Sequence, residues 1–384
     1  MTERLYYDDA YLTEFDAEVT AVRPDGWIAL DRSAFYPTSG GQPYDTGTLN
    51  GAAVTDVQAE DGIVWHKTDG TFAVGQRARG KIDWARRFGH MQQHAADHML
   101  AGAAWQLYGG VTIGLHLGAE DSTIDMDLPG GRTHLTAEEI NELETLVNSR
   151  VQHDDPIRCW FPDADELERL PLRKRPTVSE HVRVVAMGDY EMVACGGTHP
   201  RSTGQIGPVK ILSSTPARGK MRLCFVAGMR AVRYAQRAAA CAVALCQALS
   251  SDFEGAADAL QKERESALAL RRDQNARLTL AALQALRAAK RGNLYAAHLE
   301  FADHETLLRA AAELTKDPRA IALLSCPRRD ARMLVFARGA EAGVDMAALL
   351  RGCGARGGGK PDMAQGSAAD GGALQKAAEE INTP

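Results

Sequence analysis

The chain has no apolar run approaching the roughly 20 residues that cross a bilayer, so a membrane helix is not expected. Its first residues, Met1-Thr2-Glu3-Arg4, are polar and lead into no apolar leader core, so nothing suggests export. Excess positive charge is also missing: 44 Lys and Arg against 50 Asp and Glu leave a net charge of −6. That excludes nucleic-acid binding through a global basic field and leaves only local patches. The candidates are Arg173-Lys174-Arg175 and Arg218-Gly219-Lys220-Met221-Arg222, although basic runs of this kind are usually just solvated surface. Cysteines number seven, odd and scattered, which argues for reduced thiols and a cytoplasmic setting. The G-x4-G-K-[S/T] spacing is absent, so there is no P-loop.

What is present points first to a metal. His94-Ala95-Ala96-Asp97-His98 and Cys195-Gly196-Gly197-Thr198-His199 each set two ligating side chains four residues apart. On a helix, positions i and i+4 lie one turn apart on one face, so His94 and His98 can grip one ion. A Gly-Gly turn can bring Cys195 and His199 round to close the site. Three imidazoles and one thiolate suit tetrahedral Zn2+, and the soft sulfur disfavours Mg2+ or Ca2+. Either pair alone is often accidental; together they favour one zinc per chain.

Hydrophobic residues at 45% and charged residues at 24% are normal for a soluble globular protein. The expected class is α+β in four parts. Residues 1–85 alternate apolar and polar positions between turn signals, as short strands closing into a small β-barrel. Within them, Gly40 and Gly41 permit positive φ and close approach of a ligand, or merely make a loop. Residues 86–228 form an α+β zinc-containing part. A helix over 86–108 carries the first histidine pair, and Thr136-x-x-Glu139 is a capping box opening a second helix to about Gln152. Segments 122–128, 182–187 and 207–212 are expected to share one sheet, with 192–200 bringing the second ligand pair to its edge. Residues 229–291 lack proline up to about 290 and are rich in Ala, Leu, Arg and Glu. Leu245, Leu249, Phe253, Ala256 and Leu260 mark one apolar face. Ser251-x-x-Glu254 is another possible box, so two helices are expected, either an arm that dimerises or one packed on the body. Residues 292–384 alternate helix (305–314), strand (320–325), strand (332–337) and helix. The run Gly357-Gly358-Gly359-Lys360 is open to two meanings, a phosphate-binding loop or a flexible one.

These residues resemble a known family. The paired motifs at His94, His98, Cys195 and His199 look like the metal site of alanyl- and threonyl-tRNA synthetase editing domains. Phe35-Tyr36-Pro37-x-x-Gly40-Gly41-Gln42-Pro43-x-Asp45-x-Gly47 narrows the likeness to the alanyl branch. Gly357-Gly358-Gly359-Lys360-Pro361-Asp362-Met363-Ala364-Gln365 is similar to the C-terminal signature those synthetases share with DHH-type phosphoesterases. The chain resembles the free-standing alanyl-tRNA editing proteins of the long AlaX type. Starting at the barrel, it is not expected to charge tRNA. The resemblance implies a hydrolase for Ser-tRNA(Ala), and also Gly-tRNA(Ala), because a pocket sized for alanine cannot reject near-isosteres strongly.

By the same resemblance, Gln42 orients the ester or a water, and Ser33 offers a hydroxyl to a seryl side chain where related proteins commonly carry threonine. Gly40, Gly41 and Asp45 shape the substrate loop, with Asp45 fixing it. Lys360 belongs to a glycine-rich domain that grips the outer corner of the tRNA, and 229–291 with that domain pair two copies of the chain. His90 falls outside the ligand set, as a neighbour of it or facing RNA. Two competitors remain: a tRNA-binding protein with a structural zinc, and a phosphoesterase. The phosphoesterase needs Asp-His-His, which does not occur, and Asp97-His98 lies inside the other motif.

Overall fold

The computed structural model describes residues 1–176, 181–369 and 371–382. The chain folds as two units, Met1–Ala242 and Val243–Pro384. The mixed α+β class is as expected.

Near its start the first unit carries six barrel strands: β1 (Glu14–Val22), β2 (Trp27–Leu30), β3 (Gly47–Leu49), β4 (Ala52–Glu60), β5 (Ile63–Thr68) and β6 (Arg77–Ile82). They close into a barrel in the order β1-β2-β5-β4-β3-β6. Period-two burial drives the closure: every second residue of β6 points inward, and Val19, Ile28, Leu30, Phe35, Leu49 and Val64 fill the interior. Closure leaves these strands no open edge.

Helix α1 (Trp84–Tyr108) follows at once, capped by the Asp83 side chain, which accepts from the Arg86 N–H at 3.2 Å. It stops at Gly109, which takes the left-handed conformation with φ 66°. The Ala95, Ala96, Met99, Leu100 and Ala103 side chains anchor it in the main core. Strands β7 (Val111–Leu117) and β8 (Ser122–Asp127) come next, followed by α2 (Ala137–Gln152), opened by the expected box between Thr136 and Glu139. Then come β9 (Ile157–Trp160), β10 (Val184–Met187), β11 (Glu191–Ala194), β12 (Val209–Ala217) and β13 (Lys220–Ala227).

The expectation of one sheet here is corrected: there are two, β12-β13-β8-β7 and β9-β10-β11. Gly188, at φ 56°, turns β10 straight back onto β11, so local pairing claims the 182–187 segment. Helix α3 (Met229–Leu249) ends the unit and crosses its boundary.

The second unit carries α4 (Ala256–Ala288), β14 (Leu294–His298), α5 (His304–Leu314), β15 (Ile321–Arg328), β16 (Ala331–Arg338), α6 (Met346–Gly352), β17 (Arg356–Gly359), β18 (Met363–Ala368) and α7 (Gly372–Asn382). Its sheet runs β14-β15-β16-β18-β17, parallel only between β14 and β15. One apolar cluster joins one face to α4 and α5, and another joins the opposite face to α6 and α7. Two helices replace one around Ser251, as expected, but the capping box does not form. Helix α4 starts only after Gly255, whose N–H is taken by Asp252 Oδ1 at 2.7 Å, so the local turn outcompetes the cap.

The glycine run is neither of the loops considered. It forms β17, whose residues 357 and 359 approach β18 so closely that a Cβ there would sit 2.2–2.3 Å from backbone oxygens. Lys360 follows in the tight turn to Met363. Of the apolar face on α3 and α4, Leu245 and Leu260 stay more than half exposed within this chain.

Candidate metal centre

His94 and His98 project from α1 with their rings stacked, centroids 5.0 Å apart. Cys195 and His199 arrive from the loop after β11. One ligand atom from each of the four lies within 4.8 Å of the others, all but Cys195 buried. Cys195 Sγ is 3.4 Å from both His94 Nε2 and His199 Nε2. Bonds of about 2.0–2.3 Å to one tetrahedral ion separate N from S by about 3.5 Å, so the spacing fits.

The polar inventory fits as well. Both ring nitrogens of His98 and Nδ1 of His199 are buried with no hydrogen-bond partner among the described residues, a costly state that a cation would relieve at the nitrogens facing it. Burial holds His94 down to about 3, and His98 and His199 well below the ordinary histidine range, so all three are neutral donors. Burial pushes the Cys195 thiol up to about 12, so its thiolate needs an adjacent cation. The four residues can therefore hold a metal ion.

The loop that delivers Cys195 and His199 is gripped from two sides. Arg183 Nη1 donates to the carbonyls of Cys195 (3.1 Å) and Gly197 (2.8 Å). From the barrel side comes Gln42. A two-residue turn places it: Ser39 and Gln42 exchange backbone hydrogen bonds across Gly40 (φ 57°) and Gly41 (φ 85°), a turn needing two positive φ values. A Cβ on Gly41 would meet the Leu115 carbonyl oxygen at 2.6 Å.

Gln42 is fully buried. Its Oε1 accepts from His94 Nδ1 (2.9 Å) and the Thr198 N–H (3.1 Å), and its Nε2 donates to Thr198 Oγ1 (2.8 Å). An amide oxygen can only accept, so His94 carries its proton on Nδ1 and turns the Nε2 lone pair toward the cluster. Gly197 makes this packing possible, since a Cβ there would fall 2.1 Å from the His94 ring.

A cleft of about 340 Å³ opens beside the four ligands. His94, His98 and Cys195 line it, with Tyr36, Gly40 and Ile113 among the other walls. Asp97 and Thr112 also line it, and each has a buried side-chain oxygen without a partner among the described residues. Sequence reasoning missed both. Asp97 had a signal, lying three residues after His94 on the ligand-bearing face. Thr112, on β7, had none.

The other expected residues divide. Asp45 is buried beneath the loop: it accepts from the Tyr36 N–H at 2.6 Å and pairs with Arg87 Nε at 2.8 Å, both charged side chains having no exposure. Ser33 is not among the cleft residues. Its hydroxyl contacts His66 Nε2 at 2.7 Å and accepts from the Phe35 N–H. His90 is buried a helical turn before His94 and outside the four-residue group, so it does not face solvent. Lys360 belongs to the second unit. Of the two basic patches, the 218–222 stretch is engaged, Lys220 with Asp127 and Arg222 with Asp125. Arg173 pairs with Glu191 at 2.8 Å, while Lys174 borders the cleft.

Comparison with known proteins gives this geometry a relationship. The model for the threonyl and alanyl tRNA synthetase second additional domain matches residues 182–223, which include Cys195 and His199. The model for class II (A) tRNA synthetases matches residues 6–86, which include the Gly-Gly-Gln loop. Alanine–tRNA ligase of Pyrobaculum neutrophilum is 33% identical over 397 residues, taking in 95% of this chain and 42% of that protein.

The chain is a relative of the alanyl-tRNA synthetases.

Alanine–tRNA ligase of Pyrococcus abyssi is 37% identical over 251 residues, 62% of this chain and 27% of that protein. The chain thus spans less than half the length of these relatives. The C-Ala domain of Aquifex aeolicus alanyl-tRNA synthetase matches 23% of the chain at 21% identity with a TM-score of 0.22, covering 86% of that domain. No helix among the described residues is long and apolar enough to cross a membrane, and all seven cysteines are free thiols.

Proposed function

We propose that this chain hydrolyses the ester of mischarged tRNA(Ala), removing serine and also glycine, at a zinc ion held by His94, His98, Cys195 and His199. The observation that carries this is the four-donor cluster beside a cleft that three of its donors line, in a chain similar to alanyl-tRNA synthetases. Zinc bound there would polarise the ester carbonyl and favour hydroxide over water. The chain's own residues do the rest. Gln42 fixes the His94 tautomer and the loop carrying His199, so it acts as a positioning residue. Ile113 and Leu115 give the cleft apolar walls. Thr112 offers a free hydroxyl to a seryl side chain, and Ser33 supports the barrel wall behind the loop.

The four-part division at 85, 228 and 291, pairing of two copies through 229–291 and the C-terminal domain, tRNA contact by Lys360 and a cytoplasmic role belong to the same proposal.

A tRNA-binding protein with a structural zinc is the second possibility, favoured by the closed set of four protein donors. Deacylation of Ser-, Gly- and Ala-tRNA(Ala) by wild type and His94→Ala, with zinc content measured, separates the two. Release of serine or glycine with alanine spared, lost in the variant, supports the hydrolase. An inert, zinc-loaded wild type leaves the binding protein.

A further inference from the structure

A second cleft, of about 480 Å³, lies across the segment bearing Cys195 from the metal centre. Lys174, Val193, Ala194, Cys195 and Gly196 line both, so this short stretch of chain is the partition between them. The size falls within the roughly 300–1,000 Å³ of small-ligand pockets.

Its chemistry is distinctive. Arg4, Lys174, Arg175 and Arg183 bring four cationic heads to it, and no carboxylate lines it among the described residues. Among the described residues none of the four has an acidic partner there: Lys174 and Arg175 reach backbone carbonyls, and Arg183 reaches backbone carbonyls and the Cys159 side chain. This contrasts with the 218–222 stretch, where Asp125 and Asp127 take up the charge. Between these cations stand two aromatic rings. Tyr7 sits edge-on to Phe161 at 5.6 Å, with the Arg183 guanidinium 5.2 Å from the Tyr7 centroid. Phe161 is 49% exposed at the end of β9, outside every apolar core of the unit. An exposed ring among cations that no carboxylate of the described residues neutralises is the equipment that binds single-stranded nucleic acid: the ring stacks a base and the cations follow the phosphates.

We infer that this cleft holds the single-stranded 3′ end of an RNA, with its terminal base stacked on Phe161 and its last phosphates against Lys174 and Arg175. The inference rests on the proposed ester substrate. In a 3′-aminoacyl RNA one ribose separates the acyl group from the terminal base. Two clefts divided only by the Val193–Gly196 stretch can therefore take the two ends of that one nucleoside.

Binding of uncharged RNA tests this without hydrolysis. The probes are a fluorescent RNA hairpin with a 3′ single-stranded CCA tail and the same hairpin trimmed blunt, titrated with the full chain and followed by anisotropy. Wild type should prefer the tailed hairpin, and Phe161→Ala should weaken tailed binding by about 5- to 150-fold, the usual worth of one stacked base. Phe161→Trp should retain it. Arg175→Ala should flatten the dependence of log Kd on log salt by about 0.7. Circular dichroism and zinc content of each variant check that the fold survives. Equal wild-type affinity for both hairpins, or tailed binding untouched by Phe161→Ala, overturns the inference. Phe161-dependent tailed binding by a chain that hydrolyses no ester would support this cleft while removing the proposed function. Ester hydrolysis with no tail preference would do the reverse.

Discussion

Replacing Gln42 by leucine keeps approximate side-chain size but removes the acceptor shared by His94 Nδ1 and the Thr198 N–H. His94 and Thr198 are both buried, so neither donor can turn to bulk water. Each buried donor left unsatisfied costs about 1–3 kcal/mol, giving about 2–6 kcal/mol if nothing relaxes. Part of that loss falls on metal binding, because His94 is freed to rotate or to take the wrong tautomer. Groups that orient a metal-bound histidine are worth about 10- to 100-fold in affinity, or about 1.4–2.8 kcal/mol. Gln42→Glu is the control, since a carboxylate still accepts from both donors and loses only the bond to Thr198 Oγ1. Chelator competition for zinc, beside urea unfolding of the same samples, reads both quantities. Gln42→Leu should bind zinc at least tenfold more weakly and unfold at lower urea, with Gln42→Glu in between. Zinc affinity of Gln42→Leu within threefold of wild type, with an unchanged unfolding midpoint, would refute the positioning role.

Three further outcomes follow from the structure. Asp45→Ala strands Arg87 as a buried unpaired cation and should cost about 3–5 kcal/mol in chemical unfolding, whereas Asp45→Leu with Arg87→Met should cost clearly less than the single variant; equal losses would count against the pair. Thr112→Val should narrow the preference for seryl over alanyl esters while leaving zinc content intact, and Ser33→Ala should act mainly on stability, checked by competing the two esters and by thermal melting. Burial lowers His66 to about 4, so the folded state binds fewer protons than the unfolded chain between pH 4 and 6.5. Its contribution is present above about pH 6.5 and is lost as pH falls toward 4, by about 3 kcal/mol. Unfolding free energies at several pH values should fall less steeply in His66→Gln than in wild type, His90 and His94 adding the same sign of dependence to both.

Local pattern determined much of this protein. The four residues of the candidate metal centre were legible because each pair is four positions apart, and a helix or a Gly-Gly turn converts that spacing into proximity. The barrel strands were legible from period-two alternation and α2 from its capping box; in the second unit α5, β15 and β16 were expected, whereas β14, β17 and β18 were not. Where two local structures compete over the same residues, pattern was ambiguous. Gly357-Gly358-Gly359 suits a loop, yet pairing with β18 makes it a strand, and the absence of side chains is what lets the two backbones close up.

Tertiary structure alone decided which polar atoms are used and which are free. Gln42 meets Thr198 across 156 positions of chain, and Ser33 is turned to His66 by closure of the barrel. Thr112 and Asp97 keep oxygens at the cleft that no described residue partners. Hydrogen-bond satisfaction is a property of the finished packing: a residue type says what can be donated or accepted, and only the fold says what is already taken.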